Sequence, residues 1–104
     1  MVERGFTEGD WKLFRNKIAD WQEAYIDRNN KEYIKLLSED ANPSEKFWGL
    51  EERIKEDTGV RVEMSRSKLI FNIISLINEG VISYEDLEEF SDELKETARF
   101  FLES

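Results

Sequence analysis

The stretch Phe6-Thr7-Glu8-Gly9-Asp10-Trp11 decides the fold of this 104-residue chain. It follows the grammar of a helix start. The Thr7 hydroxyl can accept from the free N–H groups of a first turn. Asp10 stands where it can answer, and Phe6 and Trp11 have the spacing of a hydrophobic staple. The same grammar returns at Ile82-Ser83-Tyr84-Glu85-Asp86-Leu87. A third start, Asn42-Pro43-Ser44-Glu45, has a cap, a proline whose missing N–H does no harm, and an acid three residues after the cap. Gly59 and Gly80 read as left-handed stops, with Val60 and Val81 placed for the apolar contact that accompanies them. Three starts and two stops divide the chain into four helices.

The expected fold is therefore all-α: one domain spanning residues 1–104, a compact four-helix, mostly antiparallel bundle with a long first helix. Helix 1 runs from Thr7 to Leu37 or Ser38. Trp11, Phe14, Ile18, Trp21 and Tyr25 recur three and four residues apart, which is one helix face. A second stripe holds Ile26, Tyr33 and Leu36 or Leu37. No Gly or Pro separates the stripes, so continuity across Asn29-Asn30 is preferred to a break. Such a helix is roughly 46 Å long, and two stripes on it imply that part projects beyond the bundle. Helix 2 runs from Pro43 to about Asp57, with Phe47, Leu50 and Ile54 inward and Trp48 at the margin. Helix 3 is expected from Val62 to Glu79. Its broad band of Leu69, Ile70, Ile73, Leu76 and Ile77 marks the most buried helix. Helix 4 runs from Tyr84 to Leu102, with Leu87, Phe90, Leu94, Ala98 and Phe101 inward.

Composition narrows the chemistry. The chain has no Cys and no His, which removes disulfides, thiolate catalysis, the commonest zinc ligands and the commonest general base. The formal net charge is −9, a balance that disfavours phosphate backbones and favours solubility or a basic partner. The longest apolar run, Leu69 to Ile77, is broken by Asn72 and Ser75 and is far below the roughly 18 residues of a membrane span. With no basic-then-apolar leader pattern, a cytoplasmic location is expected.

The 24 acids fall three or four apart by abundance alone, and several occupy first turns where the helix dipole favours them. A solvated face explains them more simply than a carboxylate pair working in a cleft. Phosphate-binding glycine loops, calcium hands and Glu-x-x-His metal pairs are missing. No catalytic residue, cofactor or metal ligand is therefore expected. Two features remain. Arg61, Arg66 and Lys68 lie near a helix start, where the dipole disfavours cations. Salt bridges to acids of helix 2 or helix 4 account for them most simply, and an anion or partner site is the alternative. The aromatic row Trp11, Trp21, Tyr25 and Tyr33 has core spacing. Yet three Trp residues in a small bundle are hard to bury fully, and Trp and Tyr dominate interface hot spots.

Beyond these patterns, the chain resembles a family of small, uncharacterised all-helical proteins from anaerobic Gram-positive bacteria. The residues that carry the resemblance are Phe6-Thr7 with Asp10-Trp11-Lys12-Leu13-Phe14-Arg15, then Trp21-Gln22-Glu23-Ala24-Tyr25, Asn42-Pro43-Ser44-Glu45-Lys46-Phe47-Trp48, Met64-Ser65-Arg66-Ser67 and Phe90-Ser91-Asp92-Glu93-Leu94. They span nearly the whole chain. Some members carry the label multidrug transporter, which conflicts with the short apolar runs here. The family has no established activity, so the resemblance supplies no site residues.

The functional expectation is a non-enzymatic cytoplasmic interaction protein acting through a helix surface. Trp11, Trp21, Tyr25 and Tyr33 are its contact candidates, with Arg66 and Lys68 as an electrostatic anchor. Its partner is a protein, a second copy of the chain being one such partner, and neither nucleic acid nor membrane. The alternative is an acidic inhibitor or nucleic-acid mimic that fills a basic cleft. A carboxylate enzyme using a divalent metal ranks third.

Overall fold

The computed structural model describes residues 5–59 and 61–104. Its helices are α1 (Glu8–Leu37), α2 (Pro43–Glu56), α3 (Leu69–Asn78) and α4 (Asp92–Glu103), with 3-10 turns at Arg66–Lys68 and Tyr84–Leu87. No strand occurs among the described residues. The all-α class, the four helices and the long first helix are those expected. The Thr7 cap closes as a reciprocal pair: Asp10 N–H donates to Thr7 Oγ1 (3.1 Å) and Thr7 N–H to Asp10 Oδ2 (2.9 Å). From there α1 continues unbroken through Asn29-Asn30 for 30 residues, about 45 Å.

The core gathers around the first half of α1. Trp11, Phe14, Ile18 and Tyr25 meet Leu69, Ile73 and Leu76 of α3 and Leu94 and Ala98 of α4. Val81, Ile82, Leu87 and Phe90, between α3 and α4, close the gap. Phe14, Leu69, Ile73, Leu87 and Leu94 are wholly buried, and each such side chain contributes about 1.5–3 kcal/mol.

One buried carboxylate joins the two ends of this core. Asp10 Oδ1 accepts from Ser91 N–H (2.8 Å), and Asp10 Oδ2 accepts from the Ser91 hydroxyl (2.5 Å). The Ser91 hydroxyl oxygen in turn accepts from Leu94 N–H (3.1 Å) and so caps α4. Asp10 thus caps α1 directly and holds the cap of α4.

Several expectations are corrected. The segment before α3 is not helical: residues 61–65 are irregular, Ser65 is extended, and α3 begins at Leu69 rather than Val62. Buried Asn72 stabilises that path by donating its amide to the Glu63 carbonyl (2.8 Å). The fourth helix is interrupted. Tyr84–Leu87 forms only a 3-10 turn, and α4 starts at Asp92 because Ser91 breaks the run as a cap. Phe101 shares the face of Leu94 and Ala98 but lies near the far end of α4, where it is about half exposed.

The two glycine stops part company. Gly80 is left-handed, with φ 79°. Gly80 N–H donates to Ile77 O (3.1 Å) and Val81 N–H to Leu76 O (2.8 Å), the paired bonds of a Schellman end. Gly59 is not left-handed; among the described glycines only Gly5 and Gly80 have positive φ. Its role is to leave room, since a Cβ there would lie 2.8 Å from Tyr25 Cζ and would also strike Val81. Its expected companion Val60 lies outside the described residues.

The four helices do not share the core equally. No residue of α2 is buried, so Phe47 and Ile54 are not the inward stripe their spacing implies. The core is already closed by α1, α3, α4 and the turn between α3 and α4, and α2 pairs with the distal half of α1 instead. The molecule measures 59 × 27 × 22 Å with a radius of gyration of 16.7 Å, against about 13 Å for a globular domain of this length. It is a packed head carrying a two-helix arm. Arg28 braces the junction by donating to the Gly80 carbonyl (2.8 Å), one of the free acceptors at the end of α3.

Candidate functional site

The arm is held by a small polar lock. Tyr33 donates its hydroxyl to Asp57 Oδ2 at 2.6 Å. Arg53 Nε is 3.2 Å from the same oxygen, and its guanidinium lies 5.8 Å from the Tyr33 ring centre. Burial, then the hydrogen bond to Asp57 and that residue's negative charge, push the Tyr33 phenol up from 10.0 to about 12, against an opposing pull from Arg53. Further along, a Cβ on Gly49 would sit 3.7 Å from Leu36 Cδ2, so the two helices pass closely there.

These contacts fix which side of the arm faces out. Tyr33 and Leu36 on α1 and Arg53 on α2 point at the opposite helix, and Lys46 is half-buried beside them. Each is followed by an apolar residue: Ile34, Leu37, Ile54 and Phe47. One residue turns an α-helix by about 100°. The helices run antiparallel, so the same step turns opposite ways in space and brings all four side chains to one side of the hairpin. Trp48 lies one step further round, its ring edge-on to Phe47 at 4.8 Å. This face is open: Ile34 is 62% exposed, Phe47 60%, Trp48 58%, Ile54 48% and Leu37 43%. Charges beside it are paired along the helices, Asp27 with Lys31 (3.3 Å) and Glu51 with Lys55 (3.8 Å).

A second apolar area lies on the head. Phe71, Phe100 and Phe101 are exposed there, beside a groove of about 410 Å³ lined by Phe6, Ser67, Ile70, Phe71, Thr97 and Phe101.

The contact candidates named from the sequence lie elsewhere. Trp11 and Tyr25 are buried in the core, and Trp21 packs half-buried with its ring 6.1 Å from that of Phe90. Tyr33 belongs to the arm lock. Arg66 is paired, but with Glu8 of α1 (Nε–Oε2 2.8 Å) rather than with an acid of α2 or α4, and it lies 6.0 Å from the Trp11 ring centre. Lys68 rests over Phe71 at 5.8 Å. The structure thus brings Arg66 and Trp11 together and gathers Trp11, Trp21 and Tyr25 in and around the core rather than on an open face. The exposed residues that the sequence pattern assigned to the interior include Phe47, Ile54 and Phe101.

The acids stay dispersed: among the described residues no three gather where a metal ion could be held. No helix among them is long and apolar enough to cross a membrane. Compared with known proteins, the chain matches no family model, no curated protein and no solved structure.

Proposed function

We propose that this chain is a non-enzymatic, cytoplasmic protein-interaction module whose contact surface is the outer face of the α1–α2 arm. The observation that carries this is the exposure of Phe47 and Trp48, at 60% and 58%, on a helix with no buried residue. Contiguous exposed aromatics of this kind are the material of interface hot spots. Their rings already pack edge-on to each other, so little side-chain freedom is left to lose on docking. Neighbouring charges are paired within the arm, which suits an apolar partner surface better than a strongly basic one.

The test is a photoreactive phenylalanine analogue placed at position 48, with the same analogue at position 100 as a control. Irradiation in the native cell should give a discrete adduct from position 48. A chain that stays uncrosslinked at position 48, or reacts equally at both positions, would refute the proposal.

A further inference from the structure

We infer that the occupant of the arm face is the same face of a second copy of this chain, the two hairpins closing into an intermolecular four-helix bundle. This rests on the interaction role proposed above and names its partner. Three observations support it.

The first is geometry. A two-helix hairpin has one side on which both helices show apolar residues, and here that side holds Ile34 and Leu37 from α1 with Phe47 and Ile54 from α2. Two such sides facing each other give the four-rod packing that a lone pair of helices lacks. The contact is self-complementary, as a two-fold interface requires: bulky rings sit on α2 and half-exposed aliphatic side chains on α1.

The second is charge. The chain carries a net −9, yet residues 26–57 hold nine acids against six bases. The arm therefore carries a net −3, while most of the excess charge resides in the rest of the chain. A basic partner would find its attraction on the head. A second arm meets almost no repulsion on this face.

The third is area. Phe47 and Trp48 offer on the order of 270 Å² at their observed exposure, and Ile34, Leu37 and Ile54 about as much again. If fully covered, these residues in two copies would bury at most roughly 1,100 Å² of apolar surface, at the lower edge of the roughly 1,000 Å² of a specific interface. The pairing is thus of modest strength and depends on concentration.

Sedimentation equilibrium of the full chain, from about 5 to about 500 µM, tests it. The mass should rise from 12.4 kDa toward twice that value, with little change when salt is raised. The double variant Phe47→Ser with Trp48→Ser should stay at the monomer mass throughout, with unaltered far-ultraviolet dichroism because both side chains are already exposed. Phe71→Ser, on the head, should dimerise like the parent. A parent chain that stays monomeric overturns the inference, as does a dimer that survives the arm substitutions or is lost with Phe71→Ser. Monomeric behaviour together with a position-48 photo-adduct heavier than two copies would discard the second copy and leave the interaction role standing.

Discussion

Replacing Asp10 with Ala should cost more than any other single change of a polar side chain in this molecule. The carboxylate is 3% exposed and accepts three hydrogen bonds, from Thr7 N–H, Ser91 N–H and the Ser91 hydroxyl. Bonds to a charged acceptor contribute about 1.5–3 kcal/mol each, less what water recovers when it enters the gap, and a helix cap about 1 kcal/mol. A loss of about 3–4 kcal/mol follows. For a domain of this size that lowers the melting temperature by well over 10 °C, at about 4–8 °C per kcal/mol. Ser91→Ala keeps the backbone N–H bond to Asp10 but removes the hydroxyl's bond to it and the cap of α4, and should cost about 2 kcal/mol. Because the two side chains share the hydroxyl–carboxylate bond, the double variant should be only slightly worse than Asp10→Ala, with a coupling of about 1–2 kcal/mol. Urea unfolding followed by far-ultraviolet dichroism measures all four corners of the cycle. Additive effects, or an Asp10→Ala variant within about 0.5 kcal/mol of the parent, would refute the role given to this carboxylate.

Other outcomes follow from single contacts. The folded-state pKa of Tyr33 is raised from 10.0 to about 12, so its contribution is intact below pH 10 and is lost as pH rises from there through 12. Phenolate absorbance should show a step near pH 12, and Tyr33→Phe should remove that step. Gly59→Ala should destabilise by at least about 2 kcal/mol through overpacking against Tyr25 and Val81; a neutral result in thermal melts would contradict the close approach. At Gly80 nothing lies within 4 Å of an added Cβ, and only the φ of 79° matters. Gly80→Asn should therefore melt higher than Gly80→Val, because Asn tolerates a left-handed backbone and a β-branched residue does not. Phe47→Ser should change monomer stability by less than about 0.5 kcal/mol, whereas Leu94→Ala, at a wholly buried site, should cost about 2–5 kcal/mol. Calorimetry on dilute samples distinguishes them.

The starts of α1 and α2 were legible because their caps are local: Thr7 with Asp10, and Asn42 with Glu45, complete their signals within four residues. The Gly80 stop and the projection of α1 beyond the packed head were legible for related reasons, a lone glycine after an apolar run and a second stripe too far along the helix. The cap at Ser91 was hidden. It falls inside the helical pattern Leu87, Phe90, Leu94 and Ala98, and its hydroxyl is aimed by Asp10, 81 residues away. The late start of α3 was hidden too, since the side chain that holds residue 63 is Asn72, in the middle of the apolar band. The exposed apolar face of the arm was the least legible feature. Periodicity shows that Trp11 and Phe47 each lie on a stripe, but only the number of neighbours decides which stripe is covered. Three elements close over the first half of α1, whereas α2 packs mainly on α1 and buries none of its own residues.

The bond between residues 10 and 91 sets an order of events in the living cell. While the ribosome is still adding residues short of position 91, the leading helix has its own cap but lacks the tether that seats it in the head. The polar lock of the arm, by contrast, lies wholly within residues 33–57. The stretch of sequence that makes up the arm is therefore complete while the head still lacks its tether.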